Sequence, residues 1–279
     1  MRKITTAQLQ DFKTYLLQEE KADATLEKYL RDMRYFKLWL EDRAVDKETV
    51  LQYKEKLCGD YAPASVNAAL SSLNSFFSFV GWNDCKVKTL RIQRQLFAEG
   101  NRELTKAEYQ RLLCVAKKKG DKRLYYLMQT ICSTGIRVSE LQHITVQAAE
   151  VGQATIRCKG KMRVVLLSKE LCRMLLMYAK ERKIKNGPIF VTKTRNPLDR
   201  STIWKMMKGL CEAAGVLWKK VFPHNLRHLF ARTFYAVQKD IVRLADILGH
   251  SNVNTTRIYT METGAVHRRQ LQKLGLLRL

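Results

Sequence analysis

Pro223-His224-Asn225-Leu226-Arg227-His228 is the decisive stretch of this chain, taken together with Leu248-Gly249-His250 and Tyr259. His224 and Arg227 are three residues apart and share one helical face. Leu248-Gly249 marks a tight helix end that presents His250. A second arginine, Arg137, lies upstream in Thr134-Gly135-Ile136-Arg137-Val138-Ser139-Glu140-Leu141, just after a glycine and at the start of a helix, where a phosphate oxygen is well placed. Glu140, one turn on, can brace a guanidinium. Arginines that fork around oxygens, imidazoles that move protons and a phenol that can attack form a phosphoryl-transfer set.

Each of these residues also has an ordinary structural reading. Arg137 alone is a surface arginine, Glu140 a helix-surface acid, His250 a cap and Tyr259 a core or surface ring. A free phenol of pKa ~10 attacks poorly unless its neighbours stabilise the phenolate. His224 and His228 have a spacing that can bind zinc, but no glutamate intervenes and no third ligand is evident, so no metal and no cofactor are expected. His228 is expected to pack or hydrogen-bond internally.

Outward from this segment the chain reads as mainly α. The first 80 residues carry four amphipathic stripes. Leu9, Phe12 and Leu16 share one face, and Leu26, Leu30, Met33, Phe36 and Leu40 another. Asp46 can cap a third helix, and Pro63 fits the first turn of a fourth that ends at Gly81. Residues 1–81 are therefore a small four-helix bundle. Residues 82–103 lose the period and read as an extended basic linker. Thr105-Lys106-Ala107-Glu108 has capping-box spacing and opens the second domain, 104–262. Within it, Ala154–Cys158 and Arg163–Leu167 read as a small antiparallel β-hairpin around Lys159-Gly160-Lys161-Met162. Ser168 and Ser201 open further helices, the latter with Trp204 and Leu210 inward. The tail, 263–279, carries a leucine edge at helical spacing.

Charge narrows the partner. The 279-residue chain has a formal net charge of +25. The first 100 residues carry 16 Lys/Arg against 14 Asp/Glu, and the remainder 35 against 12. A basic second domain suits a polyanion, with released counterions supplying affinity. Seven cysteines, an odd number with no Cys-x-x-Cys pair, fit free thiols in a reducing compartment. No run of about 18 apolar residues and no signal-peptide pattern occur. A cytoplasmic protein with no membrane partner is expected, nucleoid-associated when bound to DNA.

The ordered elements His224-x-x-Arg227-His228, Leu248-Gly249-His250 and Thr255-Thr256-Arg257-Ile258-Tyr259 resemble the signature of the tyrosine recombinase (phage integrase) family. Gly135-Ile136-Arg137-Val138-Ser139-Glu140-Leu141 is similar to its first arginine box, and Cys158-Lys159-Gly160-Lys161-Met162-Arg163 to its hairpin lysine. The N-terminal bundle is similar to the family's SAM-like core-binding domain. The resemblance implies a mostly helical catalytic domain in which Tyr259 is the nucleophile forming a 3′-phosphotyrosyl link. Arg137 and Arg227 would neutralise the phosphorane, His224 would take the tyrosyl proton, and His250 would donate to the scissile phosphate. Lys159 would protonate the leaving 5′-oxygen; Lys161 is its competitor in a turn one residue shorter than in many members. Glu140 would support the site.

The resemblance further implies a homotetramer on two double-stranded DNA recombination sites, gripped by a two-domain clamp, with the tail contacting a neighbouring protomer. Accessory DNA-bending or directionality proteins serve some such systems. No arm-binding domain is expected before the bundle, as in compact, Xer-like or mobile-element members. Arg232, in Ala231-Arg232-Thr233, departs from the small or apolar residues common there. The competing functions are a type IB topoisomerase-like nicking-closing enzyme and a DNA-binding protein that has lost catalysis.

Overall fold

The computed structural model describes residues 2–92, 102–158, 161–260 and 272–273. The chain divides into two compact units, Met1–Arg94 and Gln95–Leu279. Both are built mainly of helices, with one two-stranded antiparallel sheet in the second. Among the described residues no helix is long and apolar enough to cross a membrane.

The first unit holds α1 (Thr6–Gln18), α2 (Asp23–Leu40), α3 (Lys47–Asp60) and α4 (Pro63–Phe79). Local chemistry sets their starts. Thr5 and Gln8 form a reciprocal capping box, Asp46 accepts from the Thr49 N–H, and Pro63 sits in the first turn of α4. The apolar stripes meet in one core in which Phe12, Phe36, Phe76 and Phe77 are fully buried. Phe12 packs edge-on against Phe76 at 5.2 Å.

The stretch that loses its helical period after residue 81 does not leave this bundle at once. Cys85 and Val87 are buried in the bundle core. Asn74 and Asn67, seven residues apart on α4, each bond both backbone groups of one residue. Asn74 pairs with Val87 at 3.0 and 2.8 Å, and Asn67 with Leu90 at 2.7 and 2.9 Å. Two asparagine side chains thus satisfy an extended chain as a sheet edge would. Such pairing leaves no periodic signature in the sequence.

The second unit begins with α5 (Lys106–Lys118), whose Thr105–Glu108 capping box is formed on both sides. Then come α6 (Lys122–Thr134), a 3₁₀ turn (Val138–His143), α7 (Val146–Val151), the hairpin β1 (Gln153–Cys158) and β2 (Lys161–Leu166), and α8 (Lys169–Glu181). Ile156 lies opposite Arg163 in the hairpin. The unit continues with α9 (Arg200–Lys208), α10 (Cys211–Ala214), α11 (Pro223–Gln238), α12 (Ile241–Leu248), α13 (Val253–Thr256) and a 3₁₀ turn (Arg257–Tyr259). Leu127, Met128, Ile131 and Leu226 are among its fully buried side chains.

Two expectations change. α9 is opened by Asp199, which accepts from the Thr202 N–H, rather than by Ser201. Trp204 does not face inward: it is 40% exposed, while Ile203 and Met207, four residues apart, bury fully. The aliphatic pair takes the core and leaves the indole to stack on Lys208, whose ammonium lies 5.0 Å from the ring centroid.

The unexpected Arg232 has a partner. On α11 it pairs with Glu103 and donates to the Leu104 carbonyl at 2.7 Å, and Asn225 on the same helix donates to the Arg102 carbonyl at 2.9 Å. The charged side chain anchors the segment entering this unit. Lys159, Gly160 and the tail position 263–279, apart from residues 272–273, lie outside the described residues.

Candidate active site

Helix α11 presents His224, Arg227 and His228 within its first two turns, directly after the N1 proline Pro223. Arg227 is the centre of the arrangement and is 1% exposed. It donates to the Gly135 carbonyl, to the Leu248 carbonyl at 2.8 Å and to His250 Nε2 at 3.0 Å. Both carbonyls belong to helix C-termini, those of α6 and α12, where free carbonyls and the helix dipole favour a cation. Burial, then the nearby Arg137, lowers the Arg227 pKa to about 10, which leaves it charged at neutral pH.

Gly135 has to be a glycine on two counts. Its φ of +64° is left-handed, and an added Cβ would lie 2.5 Å from Phe230. The sharp helix end it allows aims its carbonyl at Arg227 and starts the turn that carries Arg137.

Arg137 caps the 3₁₀ turn and faces a cavity of about 310 Å³. Its guanidinium donates to Glu140 Oε1 at 2.9 Å and to the Gly249 carbonyl at 3.4 Å. Glu140 is 6% exposed. Its second oxygen accepts the Arg137 backbone N–H at 2.9 Å and pairs with Arg163 of β2. Burial pushes the Glu140 carboxyl up, but the Arg137 N–H and the two guanidiniums outweigh it and hold the pKa below its ordinary value.

A carboxylate whose folded pKa is depressed stabilises the fold above its unfolded pKa, and that contribution is lost as pH falls through the folded value. Glu140→Gln is therefore expected to lower the melting temperature at neutral pH and to narrow the gap to wild type below about pH 4, the ordinary carboxylate range. Melting curves across that range check it, and a gap independent of pH would show that Glu140's charge is not what holds the arginines.

Arg163 was not read from the sequence as part of the site. It bridges Glu140 to the Ile247 carbonyl, at 2.8 Å, and its side chain fills the space beside Gly249, where an added Cβ would lie 2.5 Å from Arg163 Cδ. It thus ties the hairpin, the Arg137 turn and the end of α12 together. Its period-2 spacing from Val165 and Leu167 on the expected second hairpin strand was a weak signal for it. Arg200 and Trp204 of α9 line the cavity with Arg137, Ser139, His224 and Arg227, and these too were not foreseen.

His224 stands at the exposed rim. Desolvation on its inner side, then Arg227, Arg137 and Arg200, lowers its pKa. His228 packs its ring 4.7 Å from His224 and 4.9 Å from Tyr259, perpendicular to the phenol. His250 is held on both nitrogens, by Arg227 at Nε2 and by Thr256 Oγ1 at Nδ1, 2.9 Å away. Burial, then Arg227, Arg137 and Arg163, lowers its pKa to about 4, so it is neutral at physiological pH. In this arrangement, without DNA, Nε2 accepts a hydrogen bond from Arg227.

Tyr259 is 4% exposed and packs on Ala231, Leu244 and Leu248. Its ring stacks near-parallel to His250 at 6.2 Å, and its phenol faces the Arg227 guanidinium. Arg137, Glu140, His224, Arg227, His250 and Tyr259, drawn from four segments, thus converge. Lys159 falls outside the described residues.

The site thus holds a buried arginine between two helix ends, a second arginine open to a cavity and a phenol against the first. The family model described as "Phage integrase family" matches residues 102–265, and that described as "Phage integrase, N-terminal SAM-like domain" matches 9–83. The chain belongs to the phage integrase family and is a tyrosine recombinase. The tyrosine recombinase XerA of Pyrococcus horikoshii is 30% identical over 96% of this chain and 94% of its own length. A crystal structure of XerA recombinase matches 99% of this chain and all of its own, with a TM-score of 0.53 and 26% identity. A lambda integrase dimer bound to a core site shares the fold at a TM-score of 0.74 and 17% identity, covering 93% of this chain and 96% of that one.

Proposed function

We propose that this enzyme recombines DNA site-specifically through a covalent 3′-phosphotyrosyl intermediate, with Tyr259 as nucleophile. The observation that carries the reading is the Tyr259 phenol set against Arg227, an arginine that lines one cavity together with Arg137. The phenolic oxygen attacks the scissile phosphorus as its proton passes to His224, and the bond to the 5′-oxygen breaks. Arg137 and Arg227 neutralise the charge on the non-bridging oxygens. Glu140 holds Arg137 in place, and His250 contacts the phosphate. Lys159 gives its proton to the departing 5′-oxygen. Attack by a 5′-hydroxyl on the phosphotyrosine reverses the step and rejoins DNA. The bond energy is conserved in the covalent link, so ATP is not consumed, and the arginines supply the electrostatic stabilisation without a metal.

The assembly is a homotetramer on two double-stranded DNA sites, with 1–81 and 104–262 as DNA-binding and catalytic domains, 82–103 between them and 263–279 as the contact to a neighbour. Accessory DNA-bending or directionality proteins belong to the same reading. The test is a nicked duplex carrying the sequence that the protein selects from a randomised pool. A protein–DNA adduct on a denaturing gel supports the mechanism, and noncovalent binding without adduct overturns it.

The lysine assignment has its own signature. Lys159→Ala is expected to slow cleavage roughly 10²–10⁴-fold, the scale of general-acid catalysis. A 5′-bridging sulfur leaves without a proton, so it is expected to restore the rate of Lys159→Ala and not that of Arg137→Ala. Rescue of Lys161→Ala instead would assign the acid to Lys161.

A further inference from the structure

Thr256 is fully buried, polar, and has no role in the mechanism above. Its hydroxyl lies 2.9 Å from His250 Nδ1, and the other nitrogen of that ring lies 3.0 Å from an Arg227 amine. Arginine can only donate. Nε2 therefore carries the lone pair, the neutral ring carries its proton on Nδ1, and that proton is donated to Thr256 Oγ1. This is the wrong tautomer for a phosphate. Phosphate oxygens only accept, so one arriving at the Nε2 edge would face lone pair against lone pair.

We infer that Thr256 is a positioning residue that lets His250 change tautomer when DNA binds. The inference rests on the phosphate-binding reading proposed above. A phosphate oxygen takes over the Arg227 amine that now points at Nε2. His250 then gives its Nδ1 proton to water and receives one on Nε2, with no change of net charge. The Thr256 hydroxyl rotates from accepting to donating toward Nδ1, and Nε2–H becomes a donor to the phosphate.

Only a group that both donates and accepts can satisfy Nδ1 in both tautomers. A backbone carbonyl would hold the proton on Nδ1, and an aliphatic group would satisfy neither state. The place of Thr256 in the chain adds a second consequence. Thr256 ends α13 and is followed directly by the turn that carries Tyr259. The same hydrogen bond thus ties the nucleophile's segment to the histidine that must be reset.

The experiment uses full-length protein labelled with ¹⁵N-histidine. His250 is assigned by its loss in His250→Phe, and its ring nitrogens are read by long-range ¹H–¹⁵N correlation. DNA-free wild type is expected to show Nδ1 protonated. With a nicked duplex carrying the selected site, the proton is expected on Nε2. In single-turnover cleavage, Thr256→Val is expected to fall about 10²-fold, the scale of one lost donor to a developing oxyanion. Its DNA affinity should stay at wild type. Thr256→Ser, which restores the hydroxyl, is expected to recover most of the rate.

An unchanged tautomer on DNA binding overturns the inference, as does a Thr256→Val enzyme that cleaves at the wild-type rate. So does a Thr256→Ser enzyme as slow as the valine variant. The spectra of wild type decide the matter even if Thr256→Val folds poorly. Failure of the underlying reading looks different, because wild type itself would then form no adduct on the nicked site.

Discussion

Tyr259→Phe binds the selected DNA site as wild type does and forms no covalent adduct: that is the expected result with the largest effect. The ring of Tyr259 packs on Ala231, Leu244 and Leu248 and lies between His228 and His250. Phenylalanine keeps all of that packing. Only the oxygen facing Arg227 is lost, so stability should change by about 1 kcal/mol or less, the net worth of one hydrogen bond. Cleavage by the proposed mechanism, by contrast, is expected to stop, because the attacking oxygen is gone. Urea denaturation and a denaturing gel on the nicked site measure the two halves. An adduct formed by the mutant would assign the nucleophile to another residue.

The second large effect separates the two arginines. Arg227→Ala is expected to lose activity by about 10³-fold or more, the scale for an arginine that stabilises a transferring phosphoryl group. It should also lose stability, because the Gly135 and Leu248 carbonyls would be left buried without their donor, at about 1–3 kcal/mol each. Arg137→Ala is expected to lose comparable activity with little loss of stability. The Arg137 side chain is 38% exposed, and the backbone N–H that Glu140 accepts survives in alanine. Paired rate and denaturation measurements test this. Equal stability losses in the two variants would refute the division into a buried, structural arginine and an open one.

Three helix starts were legible because a side chain caps its own backbone. Thr105 with Glu108, Asp46 and Ser168 all open helices as their spacing suggests. Ser201 misled because Asp199, two residues earlier, is the stronger acceptor and takes the Thr202 N–H. Trp204 misled because bulk suggests burial, whereas the i,i+4 pair Ile203 and Met207 fixes which face of α9 turns inward. The segment 85–90 was read as linker because side chain–backbone bonds from Asn67 and Asn74 impose no period on the residues they hold.

The sequence by itself determined the mainly helical fold, the family signature and the chemical types gathered near Arg227. Those follow from short-range rules: caps, stripes, and residue types at fixed spacing. The tertiary structure alone decided that Arg227 is buried between two helix C-termini while Arg137 stays open to the cavity. It alone brought Arg163 from the hairpin onto Glu140, gave Arg232 its partner at Glu103, and set Thr256 against Nδ1 of His250. These contacts join residues far apart in the chain, or depend on which ring nitrogen already has a donor. Local spacing carries neither kind of information, because burial and hydrogen-bond direction exist only once the segments have packed.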